Sequence, residues 1–342
     1  MVNKTILEYI WLDNNGDIRS KTRVLNFCRT MYLEDVEEWN FDGSSTGQAN
    51  SEGDTEIILK PCQLYMDPLR NTDTTLGYIV ICETYKPNGE PHHSNHRHKA
   101  NKLFDDLCEY CPWFGLEQEY FMFKRNEPNY VHKLRKDFTL SYNDGTHYCG
   151  NARNDYERII AEQHMQMCID ADITISGINA EVENNQWEFQ IGPCEGINAA
   201  DDLIVARYLL ERIAERHNVA ICYMPKPFKD MNGSGCHINF STAETRCENC
   251  IETINKYIER LEKKHHEHIS VYGKDNDKRL TGLNETSSID SFTWGVGTRN
   301  TSIRIPNSVN NAKCGYFEDR RPAANIDPYL ATSKLFETCC LD

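Results

Sequence analysis

Hydrophobic and polar positions alternate with a period of two through most of the first 85 residues. ILEYIWL at 6–12, TRVLNF at 22–27, TEIILKP at 55–61 and LGYIVICETY at 76–85 are short apolar runs separated by polar turns. Runs of this kind predict strands, and the segment carries few helical patterns. KPNGEPHHSNHRH, at 86–98, breaks the alternation with prolines, a glycine and histidines, and predicts a domain junction. Beyond it the period lengthens. In DDLIVARYLLERIAERH, at 201–217, Leu203, Ala206, Leu210, Ile213, Ala214 and His217 recur at helical spacing, with acids at the start and a histidine at the end. The chain therefore reads as α+β, a small mostly β domain over 1–90 followed by a larger domain over 91–342.

Several of the later strand-like runs carry charge where a strand would normally be apolar. GLEQEYFMF, at 115–123, places Glu117 and Glu119 on one face, with Leu116, Gln118 and Tyr120 on the other. An isolated pair of this kind is ordinarily a solvated edge. GINAEVENNQWEFQIG, at 177–192, reads as a hairpin about Asn184-Asn185, in which Glu181 faces Glu188 directly. Like charges in that position are destabilising unless a cation lies between them. GSGCHINFS, at 233–241, sets His237, Asn239 and Ser241 on one face of a further strand. GYFEDRRP, at 315–322, sets Glu318 beside Arg320 on one face if it is extended. Five carboxylates and one histidine suit hard divalent ions, Mg²⁺ or Mn²⁺, better than zinc. Arg279, Arg299, Arg304, Arg320 and Arg321 gather in the last third, and arginine forks suit phosphate and carboxylate. Metal plus arginine forks points to phosphoryl transfer from a nucleotide, without a Walker loop or a protein-kinase motif set.

Composition narrows the partners. The 342 residues are 39% hydrophobic, enough for a sizeable core, and no run reaches membrane-spanning length. A net charge of −15, from 52 acidic and 37 basic residues, argues against nucleic acid. Fifteen cysteines at irregular spacing, behind an N-terminus without a signal-peptide pattern, predict a cytoplasmic protein with mostly free thiols. Cys108/Cys111 and Cys247/Cys250 have zinc-knuckle spacing but are read as cysteines on helix faces. The histidines of 92–98 and of HHEH at 265–268 are read as a linker and an exposed helix face.

Taken together, EWNFDGSST (38–46), GLEQEYFMF, NAEV (179–182), QWEFQIGPCEGI (186–197), NGSGCHINFS (232–241), RLTGLNETSS (279–288), SIRIP (302–306) and GYFEDRRPAAN (315–325) resemble the eukaryotic-type (class II) glutamine synthetases. The resemblance implies a β-grasp-like N-terminal domain and a catalytic domain built on a curved antiparallel sheet, an open barrel backed by helices. It implies ATP-dependent ligation of ammonia to glutamate through γ-glutamyl phosphate, in a homo-oligomeric ring, a decamer of two stacked pentamers, with sites between neighbouring subunits. By motif match, Glu119, Glu181 and Glu188 hold the metal nearer glutamate, and Glu117, His237 and Glu318 hold metal on the ATP phosphates, two or three Mg²⁺ or Mn²⁺ per site. Asn239, Ser241, Tyr316 and the backbone from Glu188 to Pro193 match nucleotide contacts, and Arg299 and Arg304 match phosphate-binding arginines. Asn232, Gly233, Arg279 and Arg320, with Arg299, match the glutamate pocket and its surroundings. Asp42 is the expected ammonium binder and base, and Glu285 the acid of a flap over the intermediate.

The chain also departs from the family pattern. It starts almost at its first strand, Met231 replaces a tryptophan, Asn284 a histidine and Asn307 an arginine, and 148–158 is one residue short. Other readings on the same scaffold are a guanidino kinase, a ligase using a larger amine, and a non-catalytic assembly protein. Asp42 favours ammonia over the first two, and the complete set of six metal positions counts against the third.

Overall fold

A computed structural model of the chain describes residues 4–125, 147–151, 155–229 and 231–341. Residues 152–154, within the stretch that is one residue short, lie outside these. The alternating N-terminal segment forms a five-stranded mixed sheet from β1 (Lys4–Leu12), β2 (Ile18–Leu25), β3 (Trp39–Asp42), β4 (Glu56–Met66) and β5 (Thr75–Tyr85), in the order β2-β1-β5-β4-β3. β1 and β5 run parallel at its centre. The period-two pattern gives each face its own partner. Leu7, Tyr9 and Trp11 of β1 pack with Met31, Val36 and Tyr78 on one side, while Ile10, Ile79 and Ile81 join the core of the rest of the molecule. β3 was not among the strands expected from the alternation. WNFD is only four residues long and is only half-buried over its first three.

The second sheet is the scaffold of the site. It consists of β6 (Trp113–Lys124), β7 (Ile175–Ala180), β8 (Gln186–Glu195), β9 (Val219–Cys222), β10 (Cys236–Ser241), β11 (Trp294–Val296), β12 (Ile303–Ile305) and β13 (Phe317–Asp319). Their order is β11-β12-β13-β10-β6-β8-β7, with β9 continuing the β10 side of β6. The sheet curls into a half-barrel, antiparallel except for the β11–β12 pair. Helices Asp155–Asp170, Asn198–Arg216 and Pro328–Cys340 supply much of the core against its outer face. Among the described residues no helix is long and apolar enough to cross a membrane.

Buried ion pairs join the two parts. Arg97 donates from Nη1 to Glu83 (2.9 Å) and from Nε and Nη2 to Asp201 (2.8 and 2.7 Å). The histidine stretch at 92–98 is thus more than a linker: it runs into the helix His96–Asp106, and His92 is buried against the Gln48 carbonyl. HHEH is likewise no exposed face. His265 and His268 are buried, the latter between Tyr272 and Thr338. His217, by contrast, caps its helix in solvent. All fifteen cysteines are free, and the two zinc-spaced pairs occupy turns and a short 3₁₀ segment rather than helix faces.

Candidate active site

β6 lies at the middle of the curled sheet and alternates buried and open residues, so Glu117 and Glu119 project together into its concave side. Strand register then delivers the remaining groups. Glu119 sits opposite Glu188 on β8, and Glu117 sits opposite His237 on β10. Asn239, two residues along β10, is opposite Glu318 on β13, which in turn faces Arg304 on β12.

Two trios result, each with ligand atoms within 4.8 Å of one another: Glu119, Glu181 and Glu188, and Glu117, His237 and Glu318. Glu181 arrives by a route that differs from the sequence expectation. The hairpin loop is four residues, 182–185, closed by the Glu181 N–H donating to the Gln186 carbonyl (2.9 Å), with the Gln186 N–H turned back to the Glu183 carbonyl (3.1 Å) and Asn185 left-handed at φ 65°. Glu188 therefore faces Asn179, and Glu181 lies beyond the end of β7 opposite Gln186. The register differs by two, which preserves the face of every side chain and hence the cluster.

Among the described residues, only neutral donors touch the first trio directly. Gly235 N–H donates to Glu119 (2.7 Å), Asn179 Nδ2 to Glu181 (3.0 Å) and Gln190 Nε2 to Glu188 (2.8 Å). Burial, reinforced by Glu181, pushes the Glu119 carboxyl up to about 8. Burial and the three neighbouring acids Glu117, Glu119 and Glu181 push Glu188 well above the ordinary range. Burial also raises Glu181. Arg279 and Arg320 offset Glu119, and Arg299 offsets Glu181, only from a distance, and carboxylates crowded in this way hold either protons or a cation.

The second trio is held by cations. Glu318, 2% exposed, accepts from Arg304 Nη1 (2.9 Å) and Arg320 Nη1 (2.6 Å). His237 Nδ1 stands 3.4 Å from both Glu117 and Glu318, and burial, helped by Arg320, keeps its ring neutral by lowering its pKa well below 6.5. Arg279 is buried behind it, its fork spent on His237 Nε2 (3.0 Å) and on the Arg320 and Arg321 carbonyls. A neutral imidazole beside two carboxylates, and three carboxylates on a rigid sheet, are oxygen-rich donor sets that suit a hard divalent ion.

Beside the trios opens a cleft of ≈380 Å³ lined by Glu117, Gly192, Pro193, Asn239, Ser241 and Tyr316, together with Trp113, Ser176, Gln190 and Arg246. Gly192 has φ 103°, and a Cβ there would meet the Phe114 carbonyl at 2.4 Å, so only glycine lets β8 pass β6 at this point. Arg246 and Trp113 were not found from sequence. The guanidinium lies 4.0 Å over the Trp113 ring and donates to Ser241 Oγ (2.9 Å). No local pattern marks either residue.

At the opposite end Glu285 stands 3.5 Å from Arg299, and Tyr148, also missed, lies close enough to the same arginine to help raise its pKa. Asn232 and Gly233 belong to the loop that underlies Glu119: Asn232 N–H donates to Glu183 (2.7 Å) and the Gly233 carbonyl accepts from Gln186 (3.0 Å). Asp42 is set apart. It ends β3 at the edge of the other sheet, exposed, with its carboxylate held below the usual range by Ser44 and then Thr55.

Comparison with known proteins agrees with the site. A family model described as glutamine synthetase, catalytic domain, matches residues 96–270. A putative glutamine synthetase of Acanthamoeba polyphaga mimivirus is 49% identical over 342 residues, covering 98% of this chain and 94% of that protein. The glutamine synthetases of Candida glabrata and Saccharomyces cerevisiae are 48% and 47% identical over 339 residues, covering 98% of this chain and 89% and 90% of theirs.

Proposed function

The chain belongs to the glutamine synthetase family and is a glutamate–ammonia ligase, and we propose the residue roles by which it joins ammonia to L-glutamate with ATP, giving glutamine, ADP and phosphate. The observation that carries the reading is the pair of trios side by side on one rigid sheet, with the ≈380 Å³ cleft at one end and the Glu285–Arg299 pair at the other. Glu119, Glu181 and Glu188 would hold one divalent ion, and Glu117, His237 and Glu318 a second. Bound there, Mg²⁺ or Mn²⁺ would neutralise phosphate and carboxylate charge.

The remaining work falls to the chain itself. The cleft takes the nucleotide, with Pro193, Asn239, Ser241 and Tyr316 around it. Arg299, Arg304 and Arg320 offset negative charge as the γ-carboxylate of glutamate attacks the terminal phosphorus and ADP leaves. Asn232, Gly233 and Arg279 shape the floor on which glutamate sits. Ammonium then loses a proton, ammonia attacks the acyl carbon, and phosphate departs with its electron pair and takes the second proton from the new nitrogen. Asp42 is the proposed base for that proton. Its place on the far edge of the N-terminal sheet supports a role in a neighbouring copy's site, with residues 1–90 of one subunit meeting 91–342 of the next in a ring of ten. Glu285 closes over the intermediate and excludes water.

The test is ATP-dependent glutamine formation from glutamate and ammonium, with Mg²⁺ and Mn²⁺ supplied separately. Robust glutamine with either ion is expected. Tight ATP binding without glutamine would overturn the reading.

A further inference from the structure

Two of the positions at which this chain departs from the family pattern touch each other. Asn284 Nδ2 donates to the Met231 carbonyl at 3.0 Å, linking the Glu285 loop to the loop beneath Glu119. The Met231 end of this link is firmly seated. Its side chain is 4% exposed in a small apolar cluster with Phe121, Phe123 and Cys222, and its carbonyl also accepts from Lys226 Nζ. The next residue is tied by its N–H to Glu183, and Ser234 N–H donates to the Pro225 carbonyl (2.9 Å).

The other end is strained and exposed. Asn284 and Glu285 are consecutive left-handed residues, φ 53° and 63°, in a turn whose neighbour Leu283 is 69% exposed. Left-handed backbone is unfavourable for residues other than glycine, least so for asparagine, and two in succession persist only when surrounding contacts over-determine them. Thr286 Oγ1 ties the base of the turn to the Leu283 and Arg279 carbonyls (2.8 and 3.2 Å), but the described contacts that Asn284 and Glu285 themselves make across the site are few: Glu285 to Arg299 at 3.5 Å, the Glu285 carbonyl to Arg320 at 3.4 Å, and the Asn284 amide. The first two are long, and the amide bond alone has ordinary hydrogen-bond length.

We propose that Asn284 is a positioning residue: its amide latches the left-handed tip to the Met231 carbonyl and so keeps Glu285 over the acyl phosphate. The inference rests on the function proposed above. With the latch intact, ammonia forms the new bond to the acyl carbon, the carbon–oxygen bond to phosphate breaks, phosphate leaves with the electron pair, and the surplus proton on the new nitrogen passes to the departing phosphate. With the latch cut, water competes for the same carbon. It forms the C–O bond, phosphate leaves, the surplus proton passes to solvent, and the net result is glutamate plus phosphate.

Asn284→Ala and Asn284→Gly separate the amide from the backbone, because glycine accepts the left-handed φ but cannot donate to Met231. Both variants are expected to release phosphate from ATP and glutamate without ammonium several-fold faster than the wild type. In both, the phosphate-to-glutamine ratio should rise above one while the KM for ATP stays unchanged. Coupling restored in the glycine variant, or a ratio of one in both, overturns the latch. Amide hydrogen exchange over residues 281–288 reads the same latch without turnover. Faster exchange in both variants is expected, and unchanged exchange overturns the proposal even if the wild type makes no glutamine, an outcome that would count separately against the proposed function.

Discussion

The two acidic trios share one sheet and one strand, yet their charge is handled in opposite ways. Glu119, Glu181 and Glu188 are met directly by amide donors, so their mutual repulsion is relieved by protons, with carboxyls raised to about 8 at Glu119 and higher than usual at Glu188. Glu117, His237 and Glu318 include a carboxylate gripped by two arginines and an imidazole kept neutral. A divalent ion bound as proposed would therefore displace protons at the first trio and loosen ion pairs at the second. The arginines that satisfy Glu318 are, in the proposed reaction, the same ones that would turn toward phosphate.

The largest effect that tests this division is on activity. Glu188→Ala removes the acid that joins β8 to both neighbouring carboxylates, and divalent-metal-dependent glutamine formation should fall on the order of 10³-fold. Circular dichroism should show an unchanged fold, because the pair Trp187 and Phe189 still anchors β8 in the core. A fully active variant would remove Glu188 from the metal site.

Next in size is a contrast in stability. Glu318→Ala leaves the Arg304 and Arg320 guanidiniums without their carboxylate, one of them nearly buried. Breaking a buried pair in this way costs roughly 3 kcal/mol. Glu188→Gln keeps the shape and removes a crowded carboxyl that no cation contacts among the described residues, so the metal-free protein should be as stable as the wild type or more so at pH 8. Urea titrations of the metal-free proteins give the answer. Equal destabilisation of the two variants would mean that the trios are electrostatically alike.

Much of the acidic cluster could be read in the sequence on geometric grounds, while its division into two trios came from the family resemblance. Period two in β6 fixes the common face of Glu117 and Glu119 whatever the strand pairs with. The hairpin about Asn184-Asn185 was read two residues out of register, and the trio survived because an even slip does not change faces. Odd slips would have destroyed it. Groups that depend on topology stayed hidden. Trp113 and Arg246 are 133 positions apart and meet only because β10 pairs with β6 and the following turn folds back. His265 and His268 look solvated in a polar run, and only packing against Tyr272, Thr338 and the Ile289 carbonyl buries them. Asp42 has no local mark either: inside one subunit it is an exposed residue at the end of an edge strand, held by Ser44 and Thr55, and the role proposed for it depends on a neighbouring copy that no local pattern encodes.

The smallest and most diagnostic effect is the shape of stability against pH in metal-free protein. At the first trio, carboxyl pKa values are raised on folding, so the folded state keeps protons that the unfolded chain has released. That contribution is full below about 4.5 and is lost as pH rises through about 8. At the second trio His237 is depressed, so the unfolded chain takes up a proton below about 6.5 that the folded state refuses, and stability is lost as pH falls beneath that value. The two limbs have opposite slopes and belong to different trios. Thermal melts should therefore show a metal-free Tm that declines by a few degrees on the alkaline side. Added Mg²⁺ or Mn²⁺ should abolish that limb by replacing the protons of Glu119 and Glu188, and Glu188→Gln should flatten it without metal. An alkaline decline that survives both would place its cause outside the first trio and break the assignment of protons to one cluster and arginines to the other.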